Sequence, residues 1–309
     1  YEISCSLVGS EMCIRDSITT LGNKYPMDEY RLIRDYQNGE IIFDRRYGST
    51  NTFEKNNYPV GYNLGQSGNT PSQNLVDAYE MIDGTPFDWN NPEHKSNPYA
   101  NRDPRLAMSI LTNNVEFKDR TIEAWTGGRD GKGVIHATRT GYYIYKFIDP
   151  NLDLLQNRTS VHHWVIMRYA EILLSYAEAM NEAYGPTGNV GYRLNAVRAL
   201  NQVRNRVGVE MPAVPTAISK EELREKIRNE RRVELAFEDH RFWDVRRWMI
   251  APETLGAPLR GVEITKISDE EFEYKPIEVE KRTFEPKMYL YPIPQADLNT
   301  TGWVQNPLW

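Results

Sequence analysis

Thiol chemistry is almost absent from this sequence: its only cysteines, Cys5 and Cys13, lie within the first thirteen of 309 residues. No disulfide framework or cysteine-rich metal site therefore organises the chain that follows. No run comes near the roughly 18 consecutive apolar residues of a membrane-spanning helix, and the start lacks the charged-then-apolar pattern of an export leader. Positive charge is also short. A net charge of −6 leaves no surplus of Lys and Arg to neutralise phosphates, which argues against nucleic acid as a partner. Motifs for metals and cofactors are missing too. No His-Glu-x-x-His occurs, and "GGRDGKGV" has Gly133 where a phosphate loop needs Ser or Thr and Thr126 where it needs its first glycine. His136 takes the last glycine position of a dinucleotide fingerprint, and "GQSGN" around Ser67 lacks the closing glycine of a nucleophile elbow. No catalytic residue, metal or cofactor is expected.

What is abundant is aromatic: 19 Tyr and 7 Trp. Residues 1–17 include "SLVGSEMCIRDS", which looks like a translated linker, and neither fold nor function is expected of them. Residues 18–160 are rich in Asn, Gly, Pro and Tyr and read as a loop-rich, ligand-facing segment. Within it Pro71 and Ser72 suit a helix start, with Leu75, Val76, Tyr79 and Met81 as its apolar side and Gly84 as its stop. Leu106, Met108 and Ile110 alternate as in a strand, as do Tyr143, Tyr145 and Phe147.

The texture changes to helix over residues 161–250. From Val165 through Tyr169, Ile172, Leu173, Tyr176, Met180 and Ala183 the apolar positions recur at helical spacing, and Gly185-Pro186 ends the run. His162 and His163 are read as capping or surface residues opening this helix rather than as metal ligands. A second helix is expected from about Gly191 to Val207, and a third from Ser219, whose Ser-Lys-Glu-Glu forms a capping box, carrying Leu223, Ile227 and Phe237. Helix, short turn, helix, with small residues at Ala177, Ala179, Ala196 and Ala199, predicts tetratricopeptide-like pairs. Residues 251–309 close the chain with strands and loops. The fold class expected is mainly α, with long irregular loops and a few short strands.

The stretch "NERRVELAFEDHRFWDVRRW" (Asn229–Trp248) holds five Arg and five acids and is read as one helix. Glu230 and Glu234, four apart, share a face at the spacing of a close glycosidase carboxyl pair. Charge balance favours the structural reading, i,i+4 ion pairs and buried guanidinium contacts, with Phe237, Phe242, Trp243 and Trp248 as core packing.

Upstream, Tyr58, Tyr62, Trp89, Tyr99 and Trp125 stand in polar loops, outside any helical stripe. A sugar presents an apolar C–H face that stacks on an aromatic plane, while its hydroxyls need polar partners. Trp125, Trp89 and Tyr99 are the candidate stacking rings, with Arg129, Asp130 and Asn91 as hydroxyl partners. The competing reading is that these rings staple loops to the helical body.

Seven ordered blocks rank these readings. "PSQNLVDAYEMIDG", "NPYANRDPRLAMSIL", "RTGYYIYKFIDP", "WVIMRYAEILLSYAEAMNEAYG", "AVRALNQVRNRVG", "LREKIRNERRVELAFEDHRFWDVRRW" and "MYLYPIPQADLN" with the terminal "QNPLW" resemble the C-terminal half of the SusD/RagB family. The resemblance covers nearly everything after residue 40. It implies a lipid-anchored, surface-exposed outer-membrane protein. Such a protein captures nutrient oligosaccharides and hands them to a SusC-like TonB-dependent transporter, with tetratricopeptide-like pairs as scaffold and loops as the glycan face. The family's signal peptide, anchor cysteine and N-terminal helical units are not found in this sequence, and its glycan contacts follow no fixed motif. Two alternatives remain: a glycoside hydrolase using a carboxyl pair, and a helical-repeat module whose only ligand is another protein.

Overall fold

The structure, a computed structural model, describes residues 40–309. The expected linker and the start of the loop-rich segment lie outside the described residues. In chain order the first half contains β1 (Ile41–Arg46), α1 (Thr52–Asn57), α2 (Gln73–Val76), α3 (Pro92–Ser96), α4 (Arg105–Ser109), β2 (Ile110–Leu111), β3 (Glu116–Phe117), β4 (Arg120–Thr121) and β5 (Tyr143–Ile144). Then come β6 (His163–Arg168), α5 (Tyr169–Tyr184), α6 (Ala196–Arg204), α7 (Lys220–Glu234), α8 (His240–Arg247) and α9 (Ala251–Thr254). A hairpin of β7 (Leu259–Lys266) and β8 (Phe272–Glu280) follows, and α10 (Gln295–Thr301) lies near the end. The strands pair antiparallel in twos, β1 with β6, β2 with β5, β3 with β4 and β7 with β8. The fold is mainly helical with a few short strands.

Helix α5 packs along both α6 and α7, and their shared core holds Leu174, Ala177, Leu200, Val203, Leu223 and Ile227. Each fully buried leucine there contributes about 1.5–3 kcal/mol, and the alanines let the axes approach. Asn195 caps α6 through the Arg198 N–H, and Ser219 and Glu222 form the reciprocal capping box of α7. On α7 the inward face changes character along its length. Leu223 and Ile227 meet the helical core, whereas Glu230 and Glu234, the next positions on that face, are equally buried carboxylates.

Those carboxylates meet cations drawn from far along the chain. Arg105, 1% exposed, bonds Asp103 at 2.7 Å, Glu230, and Glu234 at 2.9 Å. Arg168 reaches Glu40 at 2.6 Å, Glu234 at 2.7 Å and Glu238 at 2.7 Å. Arg204 joins Glu230 to Glu80, Arg206 adds a contact to Glu234, and Lys146 pairs with Glu238 at 2.6 Å. The buried guanidinium contacts expected of this stretch are present, but most are made with distant segments; Arg247 and Asp244, three apart at 2.9 Å, are a pair between helix neighbours. The network ties the loop-rich half to α7.

Several expectations are corrected. Residues 163–168 are strand, since β6 pairs with β1, so the helix starts at Tyr169 rather than near Val165. Ile172 and Ala183 face solvent, and Leu174 and Ala177 take the core positions. His163 bonds Asp44 at 3.0 Å and His162 approaches Glu54 at 3.0 Å, so neither caps a helix. The second helix spans only Ala196–Arg204, and Val207 is exposed. Leu106 and Met108 lie in α4 rather than in a strand, with the Asp103 carboxylate accepting from the Arg105 N–H. The Tyr143 strand ends after two residues, and Phe147 takes a positive φ of 70°. The helix expected after Ser72 is a single turn, Gln73–Val76. Finally, Asn229–Trp248 is not one helix: Phe237 and Asp239, both at φ 64°, break it between α7 and α8. The break turns Phe242 and Trp243 outward, 37% and 59% exposed, so they are not core.

The loop-rich half has its own core, in which tyrosines replace secondary structure. Tyr58 donates to the Asp149 and Leu152 carbonyls, Tyr62 to those of Phe117 at 2.8 Å and Arg120 at 3.1 Å, and Tyr143 to that of Asp130. Each ring supplies apolar volume while its hydroxyl donates to a backbone carbonyl of another segment. Burial pushes the Tyr143 hydroxyl up to about 12. Tyr58 and Tyr62, 1% and 7% exposed, are therefore loop staples rather than ligand-facing rings.

Candidate functional site

Trp125 sits on a loop that the hairpin clamps at both ends. The Thr126 N–H donates to the Ile264 carbonyl at 2.9 Å and the Val262 N–H to the Thr140 carbonyl at 2.9 Å. The loop folds tightly on itself: a Cβ at Gly131 would stand 1.8 Å from the Trp125 carbonyl oxygen, so only glycine fits. The Trp125 ring is half-buried, tilted 32° against Phe272 at 5.4 Å, with the Lys266 ammonium 5.0 Å from its centre. Between the loop and the hairpin lies a hollow of about 350 Å³ lined by Thr126, Lys132, Arg139, Glu263 and Glu278 among others. Lys132 and Glu263 pair at 2.7 Å beside it.

Of the other two rings, Tyr99 reaches the same hairpin. Tyr99 stands edge-on to Tyr274 at 5.3 Å and to Tyr142 at 6.1 Å, and Tyr274 follows Phe272 on the same face of β8. Trp125, Phe272, Tyr274 and Tyr99 thus form one continuous series of rings. Trp89, half-buried, packs edge-on to Phe87 at 5.1 Å and donates its indole N–H to Asp77 at 3.0 Å. Asn91 caps α3 by accepting from the Glu93 N–H at 3.0 Å, and α3 lies against β8.

The polar residues divide. Arg129 stays 61% exposed while pairing with Glu123 at 2.7 Å. Asp130 is fully buried, accepting from Arg120 at 2.6 and 2.9 Å and from the N–H groups of Gly61 and Glu123. It shapes the loop and has no oxygen left for a ligand. Phe272, Tyr274 and Lys266 were not singled out from sequence; the alternation in "FEYKPIEVE" was the available signal, but it does not say which loops cover the strand.

The carboxyl pair Glu230 and Glu234 is unsuited to acid–base work. Burial would raise the Glu234 carboxyl, but Arg206, Arg168 and Arg105 override it and hold it well below the usual range, whereas a general acid needs the opposite. Among the described residues no cluster of three His, Cys, Asp or Glu side chains could hold a metal ion, and no helix is long and apolar enough to cross a membrane.

A tetratricopeptide-like helical scaffold that carries long irregular loops and short two-stranded sheets defines the fold class. The SusD family model matches residues 39–309, and the chain belongs to that family. It is similar to a SusD-like protein from Bacteroides fragilis, with 30% identity, a TM-score of 0.76 and coverage of 98% of this chain and 64% of that one. A SusD-like carbohydrate-binding protein from the same organism aligns at 28% identity and a TM-score of 0.74, over 95% of this chain and 60% of that one. SusD-like protein P2 of Formosa agariphila is 34% identical over 120 residues, 37% of this chain and 22% of the relative. The chain therefore spans less than two thirds of the length of each of these relatives.

Proposed function

We propose that the chain belongs to a non-catalytic, cell-surface glycan-capture protein. In this reading it binds an oligosaccharide on the face formed by Trp125, Phe272, Tyr99 and Trp89 and delivers it to a SusC-like TonB-dependent transporter in the outer membrane. An N-terminal lipid anchor would hold the protein there. The observation that carries the reading is the run of rings Trp125, Phe272, Tyr274 and Tyr99 along one hairpin, beside a hollow lined by both polar and apolar residues. Rings held by packing and by backbone clamps lose little entropy when a sugar face stacks on them. Arg129 and Asn91 are the polar contacts at the rim, and Asp130 acts behind them by fixing Arg120.

Calorimetric titration of the full-length protein with plant and host oligosaccharides tests this. Trp125→Ala together with Trp89→Ala should weaken the best ligand about tenfold or more, as expected for hot-spot rings. Unchanged affinity in the double variant, or no sugar bound by the parent, rejects the reading.

A further inference from the structure

A second cavity, of about 510 Å³, opens where α2, the end of α7, α8 and the start of β7 meet. Four guanidiniums line it, from Arg232, Arg241, Arg260 and Arg282, against two carboxylates, Asp77 and Glu253. Most of this charge is already committed. Arg260 pairs with Asp77 at 2.8 Å, and Arg282 pairs with Glu280 at 2.9 Å. The side chains of Asn74 and Asn229 are also engaged, with the carbonyls of Pro258 and Ala78.

Two cations make no ion pair among the described residues, and neither does Glu253 on the same wall. Arg232 gives one N–H to the Asn74 carbonyl and has no ion pair among the described residues. Arg241 makes neither a hydrogen bond nor an ion pair with any described residue. Burial pushes the Arg241 guanidinium down to about 10, with Arg232 beside it adding repulsion that Asp244 partly offsets. Burial likewise lowers Arg232, against the opposing attraction of Asp77 and with a smaller addition from Arg260. A guanidinium does not give up its proton at neutral pH, so the cavity keeps a surplus of positive charge, four guanidiniums against Asp77 and Glu253.

The cavity's other wall is apolar, formed by Leu75, Phe237, Leu255 and Leu259. Asp77 also joins the cavity to the glycan face, because one of its oxygens accepts from the Trp89 indole and the other from Arg260. We propose that this cavity receives the oxyanion of an acidic sugar residue, a uronate carboxylate or a sulfate ester, whose neighbour in the chain stacks on Trp89. The forked N–H groups of Arg232 and Arg241 match a two-oxygen acceptor, the apolar wall accepts a ring face, and the volume suits one residue. The inference rests on the glycan reading above and adds a substrate class to it.

The test compares oligogalacturonides, sulfated oligosaccharides and neutral oligosaccharides of equal length by calorimetry on the full-length protein, with inorganic sulfate as the free-anion control. One acidic series should bind about tenfold or more tighter than the neutral one, the fold-change of a charge-assisted pair. Whichever series wins names the anion. Arg241→Gln should abolish that preference and leave neutral-sugar affinity and the unfolding midpoint unchanged or higher, because Arg241 has no internal partner to lose. Arg241→Lys, which keeps the charge but not the fork, should fall between. Equal binding of acidic and neutral sugars, a preference that survives Arg241→Gln, or inorganic sulfate binding as tightly as the sugar overturns the inference while leaving glycan capture intact. Absence of binding by every sugar removes both.

Discussion

The helical scaffold and the loop-rich half are buried to similar completeness by different means. In α5, α6 and α7 the backbone satisfies itself, and Leu, Ala and Val at helical spacing supply the packing. In residues 40–160 the backbone is mostly irregular, so the Tyr58, Tyr62 and Tyr143 hydroxyls donate to backbone carbonyls far along the chain, and buried cations such as Arg105 and Lys146 anchor the segment to α7 and the turn after it. A loop surface that presents rings can be as rigid as a sheet, provided its hydrogen bonds are closed over long sequence separations. Such a design depends on single side chains more than a helix does.

That contrast can be broken most forcefully at Arg105. Arg105→Met leaves Asp103, Glu230 and Glu234 buried with less positive charge around them and is expected to destabilise the fold by about 3–5 kcal/mol, read as a lower urea midpoint. A loss under about 1 kcal/mol would show that the network is incidental. Acid should act on the same junction. Glu234 and Glu238 are both depressed: burial opposes this, but Arg168 and its neighbouring cations prevail. Their contribution is therefore fully present above the ordinary glutamate range and is lost as pH falls through the depressed folded values. Urea midpoints followed from pH 7 downward should hold until that range is entered and then drop steeply. A flat profile would mean the carboxylates are not charged in the native state.

Smaller effects separate the two halves. Tyr58→Phe removes the hydroxyl's bonds to the Asp149 and Leu152 carbonyls, which keep the Leu152 N–H and the Lys118 ammonium as donors, and should cost about 0.5–1.5 kcal/mol in thermal unfolding, with increased amide exchange confined to the loop-rich half. Ser219→Ala removes the α7 cap and should cost about 1 kcal/mol, spread over the helical core. If the tyrosine variant proved the milder of the two, the loop staples would rank below an ordinary helix cap.

Legibility in the sequence followed the range of the interactions. The capping box at Ser219 and the existence of three helices could be read because the deciding contacts lie within a few residues. The β6–α5 boundary could not, because β6 is made strand by β1, whose pairing residues lie more than a hundred positions earlier. The break at Phe237 and Asp239 was hidden because the charged and apolar residues around it also fit an unbroken helix. Among the candidate site residues, Trp125, Trp89 and Tyr99 were visible as rings outside any stripe. That Tyr58 and Tyr62 are buried while Trp125 meets Phe272 depends on which strand each loop covers.

The chain alone determined its helix caps, its short-range apolar periods and the charge balance of Asn229–Trp248, since these act between neighbours. Only tertiary structure decided that Arg105 and Arg168 would neutralise that stretch and that one hairpin would gather the rings. It also left Arg232 and Arg241 without ion pairs among the described residues. Partners brought together by closure of the whole fold leave no mark in local spacing.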